Sequence, residues 1–182
     1  MRCAFLAAAA ALGVAGVLLL RAEPIVEAPH PAPIVFVCRN GVAMSVWSAA
    51  YFNRLAAARG LGERAVARAA VPSFTAVPLR MRVALALDGF RLGDFRPQVV
   101  SATDAHDAAL VVAIDTELPD DARAALAAVE TWNGFPPMRE RYVPSRTALK
   151  TRIEALIERL ARAAHRSAPR SASAAPGSRA AR

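Results

Sequence analysis

The sequence predicts an α/β fold of three layers, a four-stranded parallel sheet with helices on both faces. Three observations lead there. Strand-like and helix-like segments alternate from residue 33 to residue 165. The strand-like runs are almost wholly apolar, as strands covered on both faces are, and residues 109–114 contain no polar side chain. The last segment, 145–164, carries Leu149, Ile153, Leu156, Ile157 and Leu160 at helical spacing, the stripe of a helix laid on such a sheet.

The elements follow in order. Residues 34–37 (Ile-Val-Phe-Val) are β-branched and aromatic, and they define a first strand over 33–38 that ends at Cys38. A loop over 39–44 follows, and then a helix over 45–59 with Ser45 at its N-cap and Gly60 beyond its end. Residues 61–71 alternate in part and read as a second strand. After a loop at 72–77, Pro78 opens a helix that Gly89 closes. Residues 90–100, with Gly93 and Pro97, read as irregular. Ser101 and Asp104 have the spacing of a capping box, which starts a short helix. The strand at 109–114 ends at Asp115. A helix over 119–128 carries Asp120 and Asp121 in its first turn, where the helix dipole favours them. A fourth strand at 129–132 and a proline-containing loop at 133–144 lead into the last helix.

The two ends stand apart from this domain. Residues 3–20 carry no charge and lie between Arg2 and Arg21, long enough for one membrane span. Arg21 makes a poor cleavage site, so 1–22 reads as an uncleaved anchor ahead of a cleaved signal. Either implies an exported, periplasmic or otherwise extracytoplasmic domain. A misassigned N-terminal extension would instead leave it cytoplasmic. Residues 23–32 form a proline-rich linker. The tail at 166–182 has only Arg, Ser, Ala, Pro and Gly and reads as disordered. Its four arginines supply +4 of the formal net charge of +8. The 33–165 domain is modestly basic, without the basic face interleaved with aromatics that nucleic-acid binding requires. The anchor and the basic tail suit a membrane surface instead.

Cys3 and Cys38 are the only cysteines and His30, His106 and His165 the only histidines. The pattern predicts no disulfide in the domain, no metal site and no cofactor. What it does offer lies at residues 38–45. A strand, a tight loop and a helix N-terminus turn backbone N–H groups and the positive end of the helix dipole toward an anion. A cysteine at the strand end faces the same field, which favours its thiolate. Ligands of parallel sheets sit beyond the carboxyl ends of the strands. Cys38, Asp115 and Asn133 all lie there and are expected on one crevice, with Asp115 read as a turn residue rather than a base.

Residues 35–45 (Val-Phe-Val-Cys-Arg-Asn-Gly-Val-Ala-Met-Ser), with 49–55 behind them, resemble the low-molecular-weight protein tyrosine phosphatase and arsenate reductase superfamily. Residues 95–97, 111–115 and 132–137 fall where that family has comparable segments. The resemblance implies a cysteine nucleophile that forms a phosphocysteine, a loop of Cys, five residues, Arg and Ser or Thr, and a late-loop Asp that protonates the leaving group. It makes Cys38 the nucleophile and Ser45 the hydroxyl beside it. Arg39, Asn40, Gly41, Val42, Ala43 and Met44 become the anion-binding loop, and Asn133 a candidate late-loop residue. The implied ligand is a phosphorylated small molecule, a phosphoprotein or an inorganic oxyanion. Three departures stand out: position 44 is Met where the family has its Arg, the loop's asparagine and glycine stand in altered order as Asn40-Gly41, and no Asp occupies the late loop. The implied activity is a weakened phosphomonoester hydrolysis, or else a catalytically inactive anion-binding domain of the same fold. The cysteine relay of thioredoxin-linked arsenate reduction has only Cys38 to draw on.

Overall fold

Apolar strands that cannot face water on either side must be sandwiched, and here they are. The computed structural model describes residues 23–24, 34–62, 64–72 and 74–167. In chain order the elements are β1 (Glu23–Pro24), β2 (Ile34–Cys38), α1 (Met44–Ala58), β3 (Ala65–Ala69), α2 (Leu79–Leu87), β4 (Phe90–Arg91), α3 (Ala102–Asp107), β5 (Leu110–Ile114), α4 (Asp120–Ala124), β6 (Val129–Trp132) and α5 (Tyr142–Ser167). The main sheet has four parallel strands in the order β3-β2-β5-β6.

β2 is buried along its whole length, and its side chains alternate between two cores. Ile34, Phe36 and Cys38 face one core, shared with α1, α2 and α5. Val35 and Val37 face the other, shared with α3 and α4. The register brings Cys38 level with Ala69 of β3 and Ile114 of β5, so three strands end on one line. The chain leaves β2 through α1 toward β3 on one side, while β5 lies on the other. The carboxyl end of β2 is therefore a switch point, where such sheets open a crevice.

On the first face α1 packs against β2, β3 and α5, with Ala49 and Ala50 buried, small residues that allow close approach. Leu149, Ile153, Leu156 and Ile157 of α5 are buried as their spacing predicted. Asp88, just past α2, ties three helices together. It accepts hydrogen bonds from Trp47 Nε1 of α1 at 2.7 Å and the Tyr142 hydroxyl of α5 at 2.8 Å, and it pairs with Arg146. Burial first, and then the hydrogen bond to Asp88 and its charge, push the Tyr142 phenol well above its ordinary range. On the second face Arg68 of β3 and Asp104 of α3 form an ion pair at 3.0 Å, with both side chains 6% exposed. The capping box is present: the Ser101 side chain accepts from Asp104 N, and the Asp104 carboxylate accepts from Ser101 N. Burial alone would raise the Asp104 carboxyl, but hydrogen bonds from Arg68 and Ser101, with the Arg68 charge, outweigh it and hold the group below its ordinary 3.8.

Several expected boundaries are corrected, the second strand among them: β3 spans Ala65–Ala69 rather than 61–71. α1 begins at Met44 with Ala43 as its N-cap, so Ser45 stands inside the first turn rather than capping it. Within 90–100, Phe90–Arg91 is a short strand paired in parallel with Glu23–Pro24, which were expected in the linker. α4 stops at Ala124, short of the expected 128. α5 starts at Tyr142 and runs through Ser167, so Arg166 and Ser167 are helical rather than part of a tail. The segments expected to be an anchor (1–22), the rest of a linker (25–32) and a disordered tail (168–182) lie outside the described residues. No helix among the described residues is long and apolar enough to cross a membrane.

Candidate active site

Cys38 is the last residue of β2 and is 4% exposed. Its Sγ lies 3.1 Å from Ser45 Oγ, in hydrogen-bond contact. The contact follows from the local fold. The strand ends, five residues turn back, and the first turn of α1 brings the hydroxyl beneath the sulfur. The loop is fixed from the other side by β3. Ala70 N donates to Cys38 O at 3.0 Å, and Val71 N donates to Arg39 O at 3.0 Å.

A cleft of about 360 Å³ opens above the sulfur. Cys38, Arg39, Asn40, Val42, Ala43 and Met44 form its floor and near wall. Gly41 is not in that wall; it is pressed against Ala69. The far wall comes from elsewhere in the chain. Phe74, Pro78, Arg80 and Met81 reach in from the loop before α2 and from α2 itself, and Pro137, Met138, Arg139 and Glu140 from the loop before α5. Three arginines and one carboxylate thus border a cleft whose other walls are largely apolar. Arg80 donates to the Arg139 carbonyl, and Arg139 pairs with Glu140 at 3.2 Å. Among the described residues neither Arg39 nor Arg80 has an acidic partner.

The expected single crevice divides in two. Asp115, at a φ of +45°, accepts hydrogen bonds from Gly134 N at 2.7 Å and Phe135 N at 3.0 Å. It is the turn residue it was read as, and it pins the loop after β6. That loop leaves Asn133 on a neighbouring cleft with Asp115, Thr116, Glu117 and Thr131, away from Cys38. Arg39 borders both clefts. Trp132 is a core residue, packed on Phe36 at 5.8 Å, and Trp47 stacks on Tyr51 at 4.8 Å. His106 is exposed, on α3. Among the described residues no group of His, Cys, Asp or Glu could hold a metal ion.

Arg80, Arg139 and Glu140 were missed as site residues. Their signal in the sequence is faint, because each comes from a loop or helix end with no motif of its own. Pro137 and Met138, further along the loop that carries Asn133, are the residues of it that reach the cleft.

No protein-family model matches this sequence, and no curated protein does. Solved structures do match. A low-molecular-weight protein tyrosine phosphatase from Bacillus subtilis is 18% identical, with a TM-score of 0.60 over 71% of this chain and 97% of that one. A YwlE arginine phosphatase is 18% identical, with a TM-score of 0.59 over 70% and 95%. In that structure a cysteine is replaced by serine and the active-site serine is phosphorylated. An arsenate reductase from Archaeoglobus fulgidus is 21% identical, with a TM-score of 0.54 over 69% and 98%. At these identities the likeness is one of fold. The chain has the four-stranded α/β fold of low-molecular-weight phosphatases and arsenate reductases, carried over nearly the full length of those proteins.

Proposed function

We propose that this chain is a cysteine-dependent phosphomonoester hydrolase of the low-molecular-weight phosphatase type, slowed by the loss of two groups. The observation that carries the proposal is the Cys38–Ser45 contact of 3.1 Å at the floor of the cleft. The Ser45 hydroxyl donates to the thiolate as it forms. The sulfur attacks phosphorus, the bond from phosphorus to the leaving oxygen breaks, and a phosphocysteine results. Water then attacks phosphorus and releases inorganic phosphate and the thiolate. The phosphorylated serine in the arginine phosphatase supports this route, because it places a phosphoryl group on the active-site residue of the same fold.

Met44 brings no charge to the loop. Removing a transition-state anion donor costs about 3–4 kcal/mol, or ~10²–10³ in rate. A missing general acid costs a further ~10²–10⁴, and the two effects need not add. Substrates with good leaving groups, such as aryl phosphates, suffer least from the second loss. Arg39 and Arg80 supply positive charge at the cleft, and Glu140 is its one carboxylate among the described residues.

The test is turnover of an aryl phosphate by the purified protein beside Cys38→Ser. Equal rates would overturn the proposal. A second reading is favoured by Met44 and the apolar walls: an anion-binding domain that keeps the fold without the chemistry. It predicts phosphate or arsenate binding by calorimetry with no Cys38-dependent turnover. Residues 1–22 are proposed as the segment that anchors or exports this domain.

A further inference from the structure

α2 carries two opposed apolar faces. Met81 and Leu85 are buried in the core, at 5% and 0% exposure. Leu79, Val83 and Leu87 recur every fourth residue on the other side and are 76%, 51% and 84% exposed. At 100° per residue, Arg80 and Arg82 fall on the two flanks of this outer stripe. Core packing does not require the outer stripe, and a solvated face would not be built of Leu and Val.

We propose that α2 is an interfacial helix, and that its Leu79–Val83–Leu87 stripe docks on an anionic lipid bilayer with Arg80 and Arg82 against the headgroup phosphates. A narrow apolar stripe with arginines on both flanks is how a helix lies in a membrane surface. The charge around it is complementary to an anionic surface. From residue 79 to residue 96 the chain has Arg80, Arg82, Arg91 and Arg96 against Asp88 and Asp94. The Asp88 carboxylate is already taken by Trp47, Tyr142 and Arg146.

The topology independently points to the same partner. β1 (Glu23–Pro24) pairs with β4 (Phe90–Arg91), three residues beyond α2. The chain therefore enters the domain next to the end of this helix. The uncharged run of residues 3–20, long enough to span a bilayer, ends only three residues before β1. On the proposed role of residues 1–22 as an anchor, a domain tethered there would meet the membrane along this edge, at a high effective concentration. Pro78, Arg80 and Met81 also line the Cys38 cleft, so docking would bring the cleft to the lipid surface.

The test uses the full chain incubated with vesicles and a spin label at Val83→Cys, in a background of Cys3→Ser and Cys38→Ser. The control label is at Asp121→Cys, exposed on α4 across the sheet. In vesicles containing phosphatidylglycerol, the label at 83 should become several-fold more accessible to oxygen relative to an aqueous nickel chelate, while the label at 121 stays aqueous. Arg80→Gln and Arg82→Gln should each lower the docked-to-free ratio about fivefold. A label at 83 as aqueous as that at 121 overturns the proposal. So does a label shielded from both reagents, which would mean that a second copy or another part of the chain covers the stripe. Equal docking on phosphatidylcholine alone overturns the role given to the arginines.

Discussion

A Cβ placed on Gly41 would stand 2.8 Å from the Cβ of Ala69 and 2.9 Å from its backbone nitrogen, at a φ of +63°. The loop above Cys38 can close only because one residue lets it pass against the end of β3. Gly41→Ala meets two penalties, a left-handed backbone conformation and an overpacked contact, and should destabilise the protein by about 2–4 kcal/mol. Urea unfolding measures this. An unchanged midpoint would mean that the loop tolerates another path.

Ser45 should matter to the chemistry and little to the fold. Removing a hydrogen bond to a charged group costs about 1.5–3 kcal/mol, tenfold or more in rate. Ser45→Ala is therefore expected to slow both aryl phosphate turnover and iodoacetamide alkylation of Cys38 by about that factor. Alkylation at the wild-type rate would show that the hydroxyl does not assist the thiolate.

Met44→Arg restores a charge where the resemblance expects one. Met44 is half-buried on the cleft wall, at the start of α1, so a longer side chain can extend into the cleft. The variant should raise kcat/KM for an aryl phosphate by ~10²–10³. No gain, in a variant that still folds, would mean that the loop no longer has the geometry of an anion cradle.

The Arg68–Asp104 pair gives a pH signature unrelated to catalysis. The Asp104 carboxyl is held below 3.8 in the folded protein. Its contribution to stability is therefore present above that pH and is lost as pH falls through the lower folded value. Asp104→Asn removes the carboxylate charge that faces the buried Arg68 guanidinium and should cost about 3–5 kcal/mol at neutral pH. The gap between wild type and variant should shrink once the pH drops well below 3.8. Urea midpoints at pH 7 and at pH 3 provide the comparison, and a constant gap would contradict it.

The fold was legible wherever burial on two faces imposes an apolar run. β2 and β5 announce themselves in this way, whereas β6, at the sheet edge, is only partly apolar and partly buried. The helix ends were less clear, because Ser45 has the chemistry of a cap and a different task. Its position was read from propensity, whereas the close return of the loop to β3 decided it. Cys38 and its loop were visible because one short stretch contains them. The far wall was not. Arg80 and Arg139 lie 42 and 101 residues beyond Cys38 and reach it only through tertiary packing. Asn133 was placed correctly along the chain and wrongly in space, because the hydrogen bonds of Asp115 turn its loop aside.

Arg39 stands on the rim between two clefts and borders both. One guanidinium there serves two mouths and cannot be committed to each at once. An anion settling beside Thr131 and Asn133 would draw that charge outward and leave the sulfur side poorer by one cation. Filling the outer cleft with an anion is therefore expected to weaken anion binding above Cys38, and a competition titration of the two would check it.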